Sequence, residues 1–488
     1  MRNLFLPLVL IACLFGTAGC RKNFSEINAN PNNPETVNPE LLMVTIETGI
    51  INEISNDAFS PGNIVVQYAA LVRDPGVDDY EWTSDFGVWN NGYSVLTNVQ
   101  NLYDIADASG LNNYKGIALV MKSLIFSRMT DCFGMLPYTQ ALKAQASDAN
   151  YTPAFDDQQT IYQGMLNDLK TADTLLSANG GYIRNDILYN NDWTKWQKFA
   201  NTLRLRLLLR QSNKVDPTAD MQEIVNNPTQ YPIFQSNDDN AALTYSTAPN
   251  INPVTTQRSQ FYEENRLSQT LANTMNAIND PRLQVYAQPT ALSVAAGHPA
   301  YLGVLNGSPD TALSSNIDDS VSELGTVFYN GLDVPTAAQG LVMTYSELQF
   351  ILAEAAQRGW ISGDPQTYYE AGIKASVSYW ASISGLPIAA SDSFLNQPGV
   401  AYNPAKGLQM IGTQRWIALF FCDLQGWQEW KRTGYPVLTP SLVNYNENRI
   451  PVRFLYPQGE QVTNETNYNA AVQAQGPDDI NTKVWWMN

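Results

Sequence analysis

Tyr345-Ser346-Glu347-Leu348-Gln349-Phe350-Ile351-Leu352-Ala353-Glu354-Ala355-Ala356-Gln357-Arg358 runs into Gly359-Trp360-Ile361-Ser362-Gly363-Asp364-Pro365 and then into a second apolar-periodic segment, residues 366–382. In the first segment Leu348, Ile351, Leu352 and Ala355 recur at three- and four-residue steps, the spacing that lines one face of an α-helix. The glycines, aspartate and proline between the segments end one helix and start the next. Helix, tight turn, helix is the unit of repeat-type helical stacks. Ala353, Ala356, Gly372 and Ala375 are small enough to let the two helices approach closely.

The same periodicity spreads outward from this pair. Leu41, Leu42, Ile46 and Ile50 carry it near the start, and residues 64–71, 114–129, 155–176 and 196–209 repeat it. Residues 114–129 set Ile117, Val120, Met121, Leu124, Ile125 and Met129 on one side, with a stop expected at Asp131-Cys132-Phe133-Gly134. Residues 196–209 carry Phe199, Leu203, Leu207 and Leu208, with Arg204, Arg206 and Arg210 among them. The expected fold is mainly α, with tetratricopeptide-like helical pairs forming one side of a single large domain and long irregular loops on the other. Any repeats are degenerate, since no strict period of ~34 residues runs through the chain. Residues 237–259 and 290–338 are heavy in Gly, Pro, Ser and Asn. Loops of this length are uncommon in a compact domain unless they bind something.

The chain starts Met1-Arg2-Asn3 and then runs apolar from Leu4 to Phe15, interrupted by Pro7. This reads as a secretory signal, too short for a membrane span of ~20 apolar residues. It ends in Thr17-Ala18-Gly19-Cys20, which looks like a bacterial lipobox, so residues 1–19 are expected to be cleaved and Cys20 to carry diacylglycerol and palmitate-type acyl chains. The alternative is an ordinary signal cut near Ala18. Residues 20–40, with Asn30-Pro31-Asn32-Asn33-Pro34 and Asn38-Pro39, lack an apolar period and read as a tether, leaving 41–488 as the folded domain.

Composition narrows the function. The net charge is −18, and −19 once residues 1–20 with their single arginine are gone, which argues against a nucleic-acid partner. Only 15% of residues are charged, so surface polarity rests on Asn, Gln, Ser, Thr and Tyr. Such groups suit neutral polar ligands, while the acidity equally serves solubility. His298 is the one histidine, and Cys132 and Cys422 are the cysteines of the folded part. Neither a zinc site nor a Ser-His-Asp triad is easily built from these, and the two cysteines are expected to be buried thiols rather than a bridge. No cofactor and no metal are expected, since no ordered calcium-loop spacing appears.

Near the C-terminus stand Gln414-Arg415-Trp416-Ile417-Ala418-Leu419-Phe420, Gly426-Trp427-Gln428-Glu429-Trp430-Lys431-Arg432-Thr433-Gly434-Tyr435-Pro436, Arg449-Ile450-Pro451-Val452-Arg453-Phe454 and Tyr456-Pro457, then Glu460, Asn464 and Asn467-Tyr468-Asn469. Together with Asn30-Pro31-Asn32, Thr130-Asp131-Cys132-Phe133-Gly134, Asp280-Pro281-Arg282-Leu283 and the lipobox, this closely resembles the SusD/RagB family of outer-membrane lipoproteins. The rings of Trp416, Trp427, Trp430, Tyr435 and Tyr456 are read as packing, and Arg449, Arg453 and Glu460 as capping or ion-pair groups. The resemblance implies four tetratricopeptide-like units and a lid over a SusC-like TonB-dependent transporter in the outer membrane. It further implies capture of glycans, or in some members peptides, without catalysis. Arg21-Lys22-Asn23 after Cys20 departs from an acidic run, which leaves cell-surface or periplasmic facing open.

A glycan site needs aromatic platforms beside amide and carboxylate partners. Residues 73–91, with Asp78-Asp79-Tyr80-Glu81-Trp82, and residues 299–330 fit this requirement and agree with the early and mid-chain loops that the resemblance implies. The candidate ligand residues are Arg73, Asp79, Tyr80, Trp82, Tyr301 and Tyr329, with Asn306 nearby. The rival reading is a helical glycoside hydrolase using two carboxylates ~5–10 Å apart, with Asp78, Asp79, Glu81 and Asp85 as its candidates. A docking protein with no ligand is the third reading.

Overall fold

A computed structural model describes residues 38–487 except 74, 84, 144–148, 179–180, 248–249, 257–263, 309–316 and 330–336. The expected signal peptide, Cys20 and the part of the expected tether up to residue 37 lie outside the described residues. Helix α1 (Pro39–Asp57) starts earlier than the tether reading allowed, because Asn38 accepts from the backbone N–H of Glu40 and Pro39 fits the first turn.

Four helical pairs follow among the described residues: α2 (Val88–Ser109) with α3 (Asn112–Phe133), α4 (Gln158–Ser177) with α5 (Trp193–Arg210), α6 (Tyr345–Gln357) with α7 (Pro365–Ser384), and α8 (Gly407–Ala418) with α9 (Gln425–Thr433). Short-range signals set their ends. Asp157, Asp192, Thr344 and Asp364 each accept from a backbone N–H of the helix they precede, and Gly110, Gly385 and Gly434 close helices in the left-handed conformation. Contacts run in sequence from α1 to α2, α3, α4 and α5, and α5 meets α6, which packs on α7 and α8. Gly372 on α7 makes the central pair possible: a Cβ there would sit 2.9 Å from the Phe350 ring of α6. Two short antiparallel pairings, β1 (Ala69–Leu71) with β3 (Asn265–Leu267) and β2 (Ala241–Leu243) with β4 (Gly340–Met343), tie the loop side to this stack.

Helix α3 departs from the one-sided stripe expected of it. From residue 116 to 133 only Lys122 escapes burial, and the helix continues through Asp131 and Cys132 to end at Gly134. A helix packed on every side must neutralise its own charges. Arg128 pairs with Asp57 and, at 2.9 Å, with Asp423, while Asp131 takes Arg210 at 2.9 Å. The α5 arginines are likewise buried, and Arg206 grips Glu347 through both carboxylate oxygens at 2.8 and 2.5 Å. Arg415 and Arg432 bring the C-terminal motif into the same network at Glu347, Glu429 and Glu354. Burial works to raise the Glu429 pKa, but Arg415, Arg432 and Arg210 outweigh it and hold the carboxyl well below the usual carboxylate range.

Trp416 and Trp427 are buried, their indole N–H groups donating to Val66 and Pro451 carbonyls. Arg453 pairs with Asp478 at 2.9 Å. Cys132 and Cys422 are separate buried thiols, and burial pushes Cys132 up to about 12.

Candidate ligand-binding face

After β1 the chain makes a single 3-10 turn, Pro75–Val77, and delivers Asp78 back beneath it. The Asp78 carboxylate takes the backbone N–H of Leu71 at 3.1 Å, the side-chain amide of Asn306 at 2.8 Å and the Ser441 hydroxyl at 3.3 Å. Burial pushes its pKa up to about 6, against the lowering effect of these donors. Asn306 completes the joint by donating to the Ala69 carbonyl and accepting from Ser268. The early loop and the mid-chain loop therefore meet, and they meet through a buried hydrogen-bond knot.

A third segment completes the face. Leu442 and Val443 donate their backbone N–H groups to the carbonyls of Asn306 and Gly307, and Tyr445 donates to that of Asp79 at 2.8 Å. The Tyr80 hydroxyl accepts from the Ser441 N–H at 3.0 Å. Held this way, Tyr445 is 71% exposed, and its chain neighbours Leu442 and Val443 are exposed as well. The amide of Asn444 spans to Asn448 at 3.1 Å, and Arg449 pairs with Glu447. An open ring bordered by amides and an ion pair can stack on the C–H face of a neutral ligand and hydrogen-bond its rim. The run Asn444-Tyr445-Asn446-Glu447-Asn448 carried this signal in the sequence, hidden beside the more obvious tryptophans.

The individual candidates fare differently. Arg73 is exposed and paired with Asp318 at 3.0 Å, two residues beyond the end of β1. Tyr301 is half-buried, its carbonyl accepting from Asn276. Asp79, Tyr80, Trp82 and Tyr329 are buried, which corrects the expectation that their side chains stand open to a ligand. Trp82 is 5% exposed, edge-on to Phe86 and Trp427 and tilted against Phe454, with its N–H donated to Val77. A large ring beside other rings gains more from burial than a loop position would suggest. Trp89 through Asn91, read as loop, belong to α2. Of the carboxylates considered for hydrolysis, Asp78 is locked in the knot and Asp85 caps α2 through the Trp89 N–H at 3.1 Å. Among the described residues no group of three His, Cys, Asp or Glu side chains could hold a metal ion. No helix among them is long and apolar enough to cross a membrane.

Residues 31–457 match a SusD-like family described as starch-binding and associating with the outer membrane. Solved structures agree. An outer-membrane protein of Bacteroides vulgatus, named for nutrient binding, is 29% identical with a TM-score of 0.82, over 93% of this chain and 100% of its own. A chitin-binding protein is 28% identical at 0.80, over 92% and 100%. A chitin-binding SusD homologue of Flavobacterium johnsoniae is 27% identical at 0.71, over 91% and 98%. No curated protein matches the chain.

Proposed function

Because the chain belongs to the SusD-like family of starch-binding, outer-membrane-associated proteins, we propose that it captures an oligo- or polysaccharide at the cell surface and passes it to a SusC-like TonB-dependent transporter. Cys20 anchors it by lipid in this reading, and it binds its glycan without cleaving it. The observation that carries the reading is the exposed ring of Tyr445, held over the joined 73–82 and 301–308 loops and bordered by amides. The two chitin-binding relatives support a glycan ligand and make chitin fragments a first probe.

The test is affinity electrophoresis of residues 21–488 against chitin-derived, starch-derived and other polysaccharides and against peptides, with product analysis of the same mixtures. Retardation by a glycan without cleavage, lost in Tyr445→Ala, is the expected result. Retardation by peptide alone moves the ligand class, and turnover overturns the non-enzymatic reading. Palmitate labelling of the wild type but not of Cys20→Ala checks the anchor.

A further inference from the structure

The helical side of the molecule holds a cavity of about 640 Å³ between α2, α3 and the segment 138–143. Its size lies within the ~300–1,000 Å³ of ordinary small-ligand pockets. Thr97, Gln100, Asn101 and Asp104 line it from α2, at the spacing of one helical face. The half-buried Tyr138 ring is the aromatic group at the cavity, backed edge to face by the fully buried Phe126 of α3 with centroids 4.7 Å apart.

The polar lining is specific in what it leaves open. Lys122 is tied to Asp168 at 2.9 Å with its ammonium 5.1 Å from the Tyr138 ring centroid, and the Tyr138 hydroxyl donates to the same carboxylate at 3.0 Å. Gln100 donates to Asp104 at 2.8 Å and keeps its amide oxygen as an acceptor. The half-buried side chain of Asn101 makes no hydrogen bond to any described residue, so its amide faces the cavity with donors and acceptor unspent. Lys122 is paired, whereas Asp104 and Lys143 also line the cavity and neither forms an ion pair with a described residue, so one carboxylate, one ammonium and the Gln100 and Asn101 amides stand beside the Tyr138 ring. Donors and acceptors beside an aromatic ring suit the hydroxyls of a polyhydroxylated ring, and the opposite charges of Asp104 and Lys143 leave the lining without a net charge to favour an ion.

We infer that this cleft is a second saccharide-binding site, separate from the loop face and built on α2 and α3. The inference rests on the glycan-capture reading, and two sites on one molecule would let a flexible chain be held at two points, raising avidity without a new contact at either.

Isothermal titration of the mature chain with chitotetraose tests it. The wild type should show two binding events. Thr97→Trp fills the cleft from an exposed helical position and should remove one event, while Asn101→Ala should weaken that event by roughly tenfold, the worth of about 1.4 kcal/mol. Tyr445→Ala should remove the other event, and unchanged melting temperatures show that each variant folds. A single event that Tyr445→Ala abolishes and Thr97→Trp leaves alone overturns the second site and keeps the capture reading. A single event with the opposite pattern keeps the cleft and overturns the loop face, and no heat from the wild type overturns both for this sugar.

Discussion

The side-chain amide of Asn306 donates to Asp78 at 2.8 Å across 228 residues of chain, and this contact joins the early and mid-chain loops beneath the exposed face. Asp78 has a folded-state pKa of about 6 against an ordinary 3.8, so the folded protein holds that proton more tightly than the unfolded chain. Its contribution to stability is therefore full below about pH 4 and is lost as pH rises through about 6. Asn306→Ala removes a donor to the charged form, pushes the pKa higher and leaves a buried carboxylate short of partners. The expected cost is ~1–3 kcal/mol near neutral pH, shrinking toward about pH 4. Urea midpoints of both proteins across that range check it, and a difference that does not vary with pH would falsify the assignment.

Lys431 gives the opposite slope. It is buried between the rings of Trp427 and Trp486, donating to the carbonyls of Asp131 and Val452. Burial lowers its pKa from 10.5 to about 7, against the pull of Cys132 and Asp131. Between those values the unfolded chain binds the proton and the folded one does not, so stability rises with pH over that window. Relative to Lys431→Met, the wild type should gain at most about 1.4 kcal/mol per pH unit between about pH 7 and pH 10. Paired melting curves at several pH values measure this, and parallel curves would show that the lysine stays charged.

These two groups mark where the sequence stops being legible. The α6–α7 pair was readable because its signals are local: the aspartate before α7 and the proline that opens it, the glycine after it, and an apolar step of three or four. The fate of Arg206 was not, because its partner Glu347 stands 141 residues away and nothing near either residue announces the other. The same limit governs the site. The two loops were found by composition, but which rings stay open depends on distant neighbours: Trp82 is covered by Phe454 and Trp427, whereas Tyr445 is lifted clear by a backbone bond to Asp79.

Arg415 bridges Glu347 at 3.2 Å and Glu429 at 2.9 Å inside the charged network. Arg415→Met keeps much of the volume but strands carboxylate charge where water cannot reach. A loss of ~3–5 kcal/mol is expected, seen as a lower urea midpoint with an unchanged slope. A near-neutral result would mean that Arg206, Arg210 and Arg432 suffice for both glutamates, since all three already contact this pair.

Trp82 and Tyr445 separate stability from binding. Trp82→Ala opens a cavity among Phe86, Trp427 and Phe454 and should cost ~3–5 kcal/mol. Whatever remains folded should bind glycan through the unaltered Tyr445 ring. Tyr445→Ala removes a side chain that is 71% exposed, so stability should move by no more than ~0.5 kcal/mol while glycan retardation disappears. Tyr445→Phe keeps the stacking surface and loses only the hydroxyl, and should retain most of the binding. Melting curves and affinity electrophoresis on the three variants decide the matter: if Trp82→Ala abolishes binding at temperatures where it is fully folded, the ligand reaches Trp82 through an opened loop, and the surface defined by Tyr445 is not the site.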